Sequence, residues 1–328
     1  MRHNATSSTS TLLLAALLAS IGGCLPNSLL VVPVRTNRQL VETTLLREAL
    51  LAPKIAIIDV EGILANADSP ALLSDGEHAV SLLLEKLDHA RHDRRVKAVI
   101  LRINSPGGTV AASELMHAEI VNFRNTTGKP VIAMTMDVAA SGGYYIATAC
   151  DEIVSLESTV TGSIGVIMQL FDVTGTMSKL GVRSNAIKSG DRKAGGSPFQ
   201  SLSEADRQIF QNIIDEMYER FVHVVDDGRP QLNIEQVRAL ADGRVYSAKQ
   251  ALELGLIDRI TTMPEAIALT KERIGARHAN LIAYRRPHGY AANYYAAAGR
   301  PTGEVNMFHI QTPSWLHSRA RFMYLWSP

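Results

Sequence analysis

The chain alternates short apolar runs rich in β-branched residues with longer segments in which apolar residues return every three or four positions. Lys54 to Val60 (KIAIIDV), Val96 to Ile103 and Pro130 to Thr135 are the clearest short runs and predict buried strands. Ile153-Val154 and Ser184 to Lys188 predict two shorter ones. Between the first two runs, Ala79 to His92 places Val80, Leu83, Leu84 and Leu87 on one helical face, and a further helix is expected from Ala112 to Arg124. A polar helical stretch is expected from Gln39 to Leu50. Ser203 is placed to cap a long helix from Glu204 to about Val225, whose apolar side carries Phe210, Ile213, Ile214, Met217, Phe221 and Val224. Ile234 to Leu240, Ala248 to Leu254 and Pro264 to Ile274 predict shorter helices. Strands alternating with helices imply an α/β fold with a mainly parallel sheet flanked by helices.

Both ends of the chain depart from this pattern. Thr11 to Ile21 is a nearly unbroken apolar stretch, too short for the ~20 residues of a spanning helix and similar to the apolar core of a secretory signal. Ile21-Gly22-Gly23-Cys24 resembles a lipobox, so residues 1–23 are expected to be a lipoprotein-type signal peptide and Cys24 to carry the lipid. The alternative is an uncleaved signal-anchor helix from Thr11 to about Val34, in which Pro26, Asn27 and Ser28 sit badly. Either reading puts the remainder outside the cytoplasm. From Pro287 the composition turns to Tyr, Asn, Gly, Pro and Ala, with Trp315 and Trp326 near the end. This tail reads as an extended arm packed on a neighbour or as a poorly ordered segment.

Composition narrows the chemistry. Apolar residues make up 46% and charged residues 20% of 328, and the formal charge is +1, so no global field exists to hold a nucleic acid. The ten His are dispersed and the only two Cys are Cys24 and Cys150, which excludes a thiolate zinc site or a disulfide scaffold. Neither a metal nor a cofactor is expected, and the chemistry falls to hydroxyls, carboxylates, amines or imidazoles.

Three glycine-bearing segments stand where apolar runs give way to turns. Asn104-Ser105-Pro106-Gly107-Gly108 follows a strand and precedes a helix, where paired glycines let backbone N–H groups approach a ligand; a tight turn without a ligand is the plainer reading. In Asp137 to Tyr145 (DVAASGGYY), Ser141 stands at a sharp strand-to-helix junction with the Gly142 N–H beside it, the pairing of nucleophile and oxyanion donor that acyl transfer requires. A helix N-cap is the plainer role for such a serine. A nucleophilic serine needs a base, and no His lies between Ser141 and Phe221. The third segment, Lys188 to Pro198, offers Lys188 and Lys193, and Arg192 beside Lys193 would favour a neutral amine if the side chains converged. Most lysines on such loops are solvated and inert.

Taken in order, NSPGG at Asn104 to Gly108, DVAASGGYY at Asp137 to Tyr145, TVTGSIGV at Thr159 to Val166, KSGDRK at Lys188 to Lys193 and GRVYSAKQALELGLID at Gly243 to Asp258 resemble the signal peptide peptidase A family of Ser-Lys serine peptidases. The resemblance implies a Clp protease/crotonase-like fold with repeated β-β-α units. It also implies Ser141 as nucleophile, Lys193 as general base, Gly108 and Gly142 as the oxyanion hole, and Ser163 as the residue that orients the lysine. The expected division is residues 24–50 as a linker and N-terminal helical segment, 51–286 as the peptidase domain and 287–328 as an extension that departs from the commonest family pattern. The expected activity is membrane-associated cleavage of short apolar peptides such as remnant signal peptides, in the bacterial envelope, by a homo-oligomeric ring whose sites are completed across protomer boundaries. Ile164, Val166 and Ile167 are candidates for the specificity pocket or for the core. An inactive scaffold of the same fold and a crotonase-like acyl-CoA enzyme are the rival expectations, the latter opposed by export.

Overall fold

The computed structural model describes residues 39–65, 78–286 and 322–326. The N-terminal apolar stretch, Cys24 and most of the C-terminal extension lie outside the described residues.

Four of the five expected strands, all but residues 184–188, join others in one nine-stranded sheet. β1 (Val41–Leu46) is an antiparallel edge strand, β2 spans Lys54–Glu61 and β3 spans Val96–Ser105, the latter two being parallel neighbours. α1 (Ala79–His92) crosses between them. β4 (Gly107–Thr109) leads directly into α2 (Val110–Thr127), which Thr109 caps by accepting from the Ala112 amide. β5 (Val131–Ala140) runs beside β3, breaks at Ser141 into the short α3 (Gly142–Ala147), and is flanked by β6 (Glu152–Ser155) and β7 (Val160–Gly162).

Beyond β7 come β8 (Ile167–Met168), α4 (Thr174–Lys179), a 3-10 turn (Asp191–Ala194) and the long α5 (Glu204–Gly228). Then α6 (Ile234–Leu240), β9 (Val245–Ser247), α7 (Ala248–Glu253), β10 (Arg259–Ile260), α8 (Met263–Arg273) and β11 (Asn280–Arg285) complete the body. The sheet order is β1-β11-β2-β3-β5-β6-β10, with β9 antiparallel to β7.

The central strands read as continuous apolar runs because both faces are covered. Ala56, Ile58, Leu101 and Ile103 face a core closed by α1, α2, α3 and α5, while Ile55, Ile57, Ala98 and Ile100 face a second core closed by Met263, Ala266 and Ile267 of α8. Two of the three glycine-bearing segments, the turns at Gly107 and Ser141, lie at the C-terminal ends of β3 and β5, where open parallel sheets place their ligands.

Three expectations are corrected. Residues 39–50 form no helix: Val41–Leu46 pairs antiparallel with β11, favoured by the β-branched Thr43 and Thr44 on an exposed edge. Residues 184–188 are not a strand but an exposed, irregular arm, since no strand lies beside them among the described residues. Within the C-terminal extension, the described residues Phe322–Leu325 neither pack on a neighbour nor stay irregular: they form β12, which pairs with β4 and β8 of the same chain in a separate three-stranded sheet.

Candidate active site

The site is built where two glycine turns meet. Asn104, at the end of β3, ties them together: its side-chain amide donates to Asp137 Oδ2 at 3.0 Å and its carbonyl oxygen accepts from the Val138 amide at 3.2 Å. The Ser105 hydroxyl donates to the Gly62 carbonyl at 2.6 Å and accepts from the Gly107 amide at 3.1 Å, which sets the turn before β4.

The glycines are required by close approach. A Cβ on Gly108 would lie 1.9 Å from the Leu64 carbonyl oxygen, and one on Gly142 would lie 2.4 Å from Ser113 Oγ and 3.2 Å from the Gly108 amide nitrogen. Gly107 has φ +103°, and the point its Cβ would occupy is 2.7 Å from the Gly142 amide nitrogen. Backbone therefore touches backbone at this point, with the amides of both turns close together.

Ser141 is buried, with φ 53° and ψ −116°, a conformation that L-residues rarely adopt. Its amide donates to the Gly162 carbonyl at 2.7 Å and its carbonyl accepts from Tyr145 N at 2.8 Å. Although it stands at the N-cap of α3, its side chain makes no capping hydrogen bond. The plainer role weighed for this serine is thus not the one it fills, and its hydroxyl is free of that duty.

Ser163 is the other strained serine, with φ 50°, held by its amide's 2.7 Å hydrogen bond to the Arg244 carbonyl. It follows β7, which pairs with β5 up to Ala140, so Ser163 and Ser141 leave adjacent strands at the same end. The GRVYSAKQALELGLID segment supports this region from behind. β9 braces β7, and Asp258 receives Arg229 in a bidentate pair at 2.8 Å while accepting from Ile153 N at 2.7 Å. The Tyr144 hydroxyl donates to the Leu256 carbonyl at 2.8 Å, and burial raises its pKa.

Lys193 lies elsewhere in this chain, exposed on the 3-10 turn, and among the described residues no hydrogen bond joins it to Ser141. Arg192 does not converge on it: the guanidinium is directed to the start of α5, 3.1 Å from Ser203 Oγ and 3.4 Å from Asp206 Oδ1. Lys188 donates to the Asp191 carbonyl at 2.9 Å. The imidazole of His117 packs edge-on against Tyr145, and burial lowers its pKa to about 4. Of the candidate pocket residues, Ile164 is core, Val166 is packed against it, and Ile167 is exposed in β8.

These features coincide with the comparisons to known proteins. Residues 124–277 match peptidase family S49. A protein of Enterococcus faecium named as a signal peptide peptidase, SppA, is 34% identical over 79% of this chain and 74% of its own length. The chain belongs to peptidase family S49. Protease 4 of Haemophilus influenzae is 36% identical over 68% of this chain but 35% of its own length, and the chloroplastic serine protease SPPA of Arabidopsis thaliana is 34% identical over 67% and 32%. The S49 chain described here is a serine peptidase of the signal peptide peptidase A family, with the mainly parallel, helix-flanked sheet of the Clp protease/crotonase-like fold.

Sequence reasoning overlooked three parts of this site. Leu64, whose backbone brackets Gly108 through the Leu64 N to Gly107 O and Thr109 N to Leu64 O bonds of 2.8 Å each, carries no motif. The clamp made by Asn104 was concealed within NSPGG. The third is Tyr324 of β12, which stands opposite Gly108 and is buried against Tyr145 and Phe221, and whose four-residue strand is too short to show a period.

Proposed function

We propose that this S49 peptidase is an endopeptidase of the cell envelope that cleaves short apolar peptides, remnant signal peptides among them, with Ser141 as nucleophile and Lys193 as general base. The observation that carries this reading is the strained, buried Ser141, released from capping and set against the glycine turn. In the mechanism, a neutral Lys193 amine takes the Ser141 proton and the alkoxide attacks the scissile carbonyl. The amides of Gly108 and Gly142 stabilise the tetrahedral oxyanion, each such donor being worth about 2.7–4 kcal/mol of barrier. The lysine then delivers its proton to the leaving amine, and water, deprotonated by the same amine, frees the acyl-enzyme. Ser163 orients the amine.

Lys193 meets Ser141 across a boundary between copies of the chain. Support comes from the stretch that carries the lysine, which leaves Leu180, Val182, Ile187 and Phe199 exposed. It also comes from α5, whose Phe210, Ile213 and Ile214 are only half-buried although the sequence gives them a continuous apolar face. Covering these side chains in a homo-oligomeric ring would exclude water around the amine, and a desolvated lysine yields its proton more readily.

Anchoring rests on the N-terminal sequence, since among the described residues no helix is long and apolar enough to cross a membrane. Mass spectrometry of the mature N-terminus tests it: diacylglycerol on Cys24 is expected, and an intact Met1 would contradict the lipid anchor. For the chemistry, a fluorophosphonate should label wild-type protein and leave Ser141→Ala unlabelled. Labelling of Ser141→Ala at the wild-type rate would contradict Ser141 as the nucleophile, and no labelling of either would favour an inactive scaffold.

A further inference from the structure

The strand that delivers Ser141 changes its neighbours just before it reaches that residue. On one side β5 pairs with β6 as far as Thr135, which stands opposite Ser155, and from Val138 onward it pairs instead with β7. On the other side Ile103 of β3 stands opposite Thr135, whereas Ser105 stands opposite Ala139. Asn104 alone therefore faces Met136, Asp137 and Val138, a bulge of two extra residues on β5. A bulge interrupts the ladder and re-aims the strand beyond it, here the strand end that carries the candidate nucleophile.

Backbone groups released from a ladder need other partners, and two side chains supply them. From β3, Asn104 Oδ1 accepts from the Val138 amide at 3.2 Å while Nδ2 donates to Asp137 Oδ2 at 3.0 Å. From the opposite side, the buried Thr159 hydroxyl lies 2.5 Å from the Met136 carbonyl oxygen and 3.2 Å from that of Thr135. The Asn104 main chain is itself fixed, its carbonyl accepting from Gly62 N at 3.0 Å. Asp137 is exposed, so the bond to it adds little to stability because water competes for both groups. Its consequence is one of direction: Asn104 joins the strand that ends in the Gly107-Gly108 turn to the strand that ends in Ser141.

We infer that Asn104 is a positioning residue for Ser141, with Thr159 as its counterpart across the bulge. The two side chains stand in for the missing backbone rungs and set the angle at which β5 leaves the sheet, so that the Ser141 hydroxyl keeps its place relative to the amides of both turns. The inference rests on the reading of Ser141 as nucleophile only for its effect on rate.

Two measurements on the full chain test it, each applied to wild type, Asn104→Asp, Asp137→Asn and the double variant. In the first, hydrolysis of a fluorogenic apolar peptide is followed. Asn104→Asp keeps the shape but sets two carboxylates together with no donor between them, so kcat should fall about 100-fold with KM changed less than about threefold, as for a displacement of about 1 Å at the reacting group. Asp137→Asn still offers Asn104 an acceptor and should lose less than about threefold. The double variant restores one donor and one acceptor in exchanged places and should regain at least about tenfold over Asn104→Asp. In the second, hydrogen exchange of the segment Met136 to Tyr145 should be about fivefold faster in Asn104→Asp and return toward wild type in the double variant, the change expected for one lost hydrogen bond. A wild-type kcat or unchanged exchange in Asn104→Asp, or a double variant of native circular dichroism no better than Asn104→Asp, would overturn the inference. If no protein hydrolysed peptide, wild type included, yet exchange rose and was restored in this pattern, the role of Asn104 in holding β5 would stand and the peptidase reading would fall.

Discussion

Ser141 and Ser163 are the two non-glycine residues with positive φ among the described residues, and both belong to the candidate site. Such conformations cost on the order of 1–3 kcal/mol each and persist where the surrounding structure enforces them. Ser141→Gly should relieve the strain at that junction and stabilise the protein by about 1 kcal/mol after glycine's own entropic cost, while eliminating peptide hydrolysis. Thermal unfolding against Ser141→Ala, which keeps the Cβ, checks this, and equal melting temperatures would show that the junction is unstrained.

A second residue-scale prediction concerns His117. Its folded pKa of about 4 lies below its ordinary value because burial disfavours the cation, so between these values the unfolded chain binds more protons than the folded one. Stability therefore falls as pH is lowered from about 6.5 to about 4, by roughly 2–3 kcal/mol from this group. Urea unfolding as a function of pH should show that slope reduced in His117→Phe, which keeps the edge contact with Tyr145. An unaltered slope would place the acid sensitivity elsewhere.

At the scale of elements, the central strands and most helices were legible because burial on two faces writes a strong pattern. The helix from Ser203 and the junction at Ser141 were legible through cap and turn residues. The expected helix at 39–50 failed where the signal was weakest, on an edge strand whose stability comes from β11, at the far end of the described body, and not from its own periodicity. The strands of two to four residues, β4, β8 and β12, are too short to show any period and exist only through one another. The run GRVYSAKQALELGLID, quoted above only for its resemblance, works here as a brace. Asp258→Ala would leave the almost fully buried Arg229 unpaired and the Ile153 amide without its acceptor, at a cost of about 3 kcal/mol or more. Chemical denaturation measures this directly, and a loss below 1 kcal/mol would mean that water replaces the pair.

For the whole molecule, the distribution of apolar surface separates a finished body from an unfinished arm. The two cores on the sheet are closed, whereas the segment from Ile167 to Ile209 leaves Phe171, Leu180, Val182, Ile187 and Phe199 exposed around the turn that bears Lys193. Ser141 and Lys193 were named as a proposed pair through an ordered set of motifs, and the proposal that different copies supply them draws its structural support from these exposed surfaces, which form only after folding. Light scattering should find an oligomer, and Leu180→Asp with Ile187→Asp should dissociate it and remove activity without unfolding the monomer. A fully active monomer would contradict assembly as a condition of catalysis.

The sharpest test of a serine served by another copy's lysine uses two inactive proteins. Ser141→Ala and Lys193→Ala are each expected to hydrolyse no apolar peptide, and after unfolding and refolding together they should recover part of the wild-type rate, because some interfaces then pair an intact Ser141 with an intact Lys193. A mixture that stays inactive although both variants fold and co-assemble, or a Lys193→Ala protein as active as wild type, would contradict it.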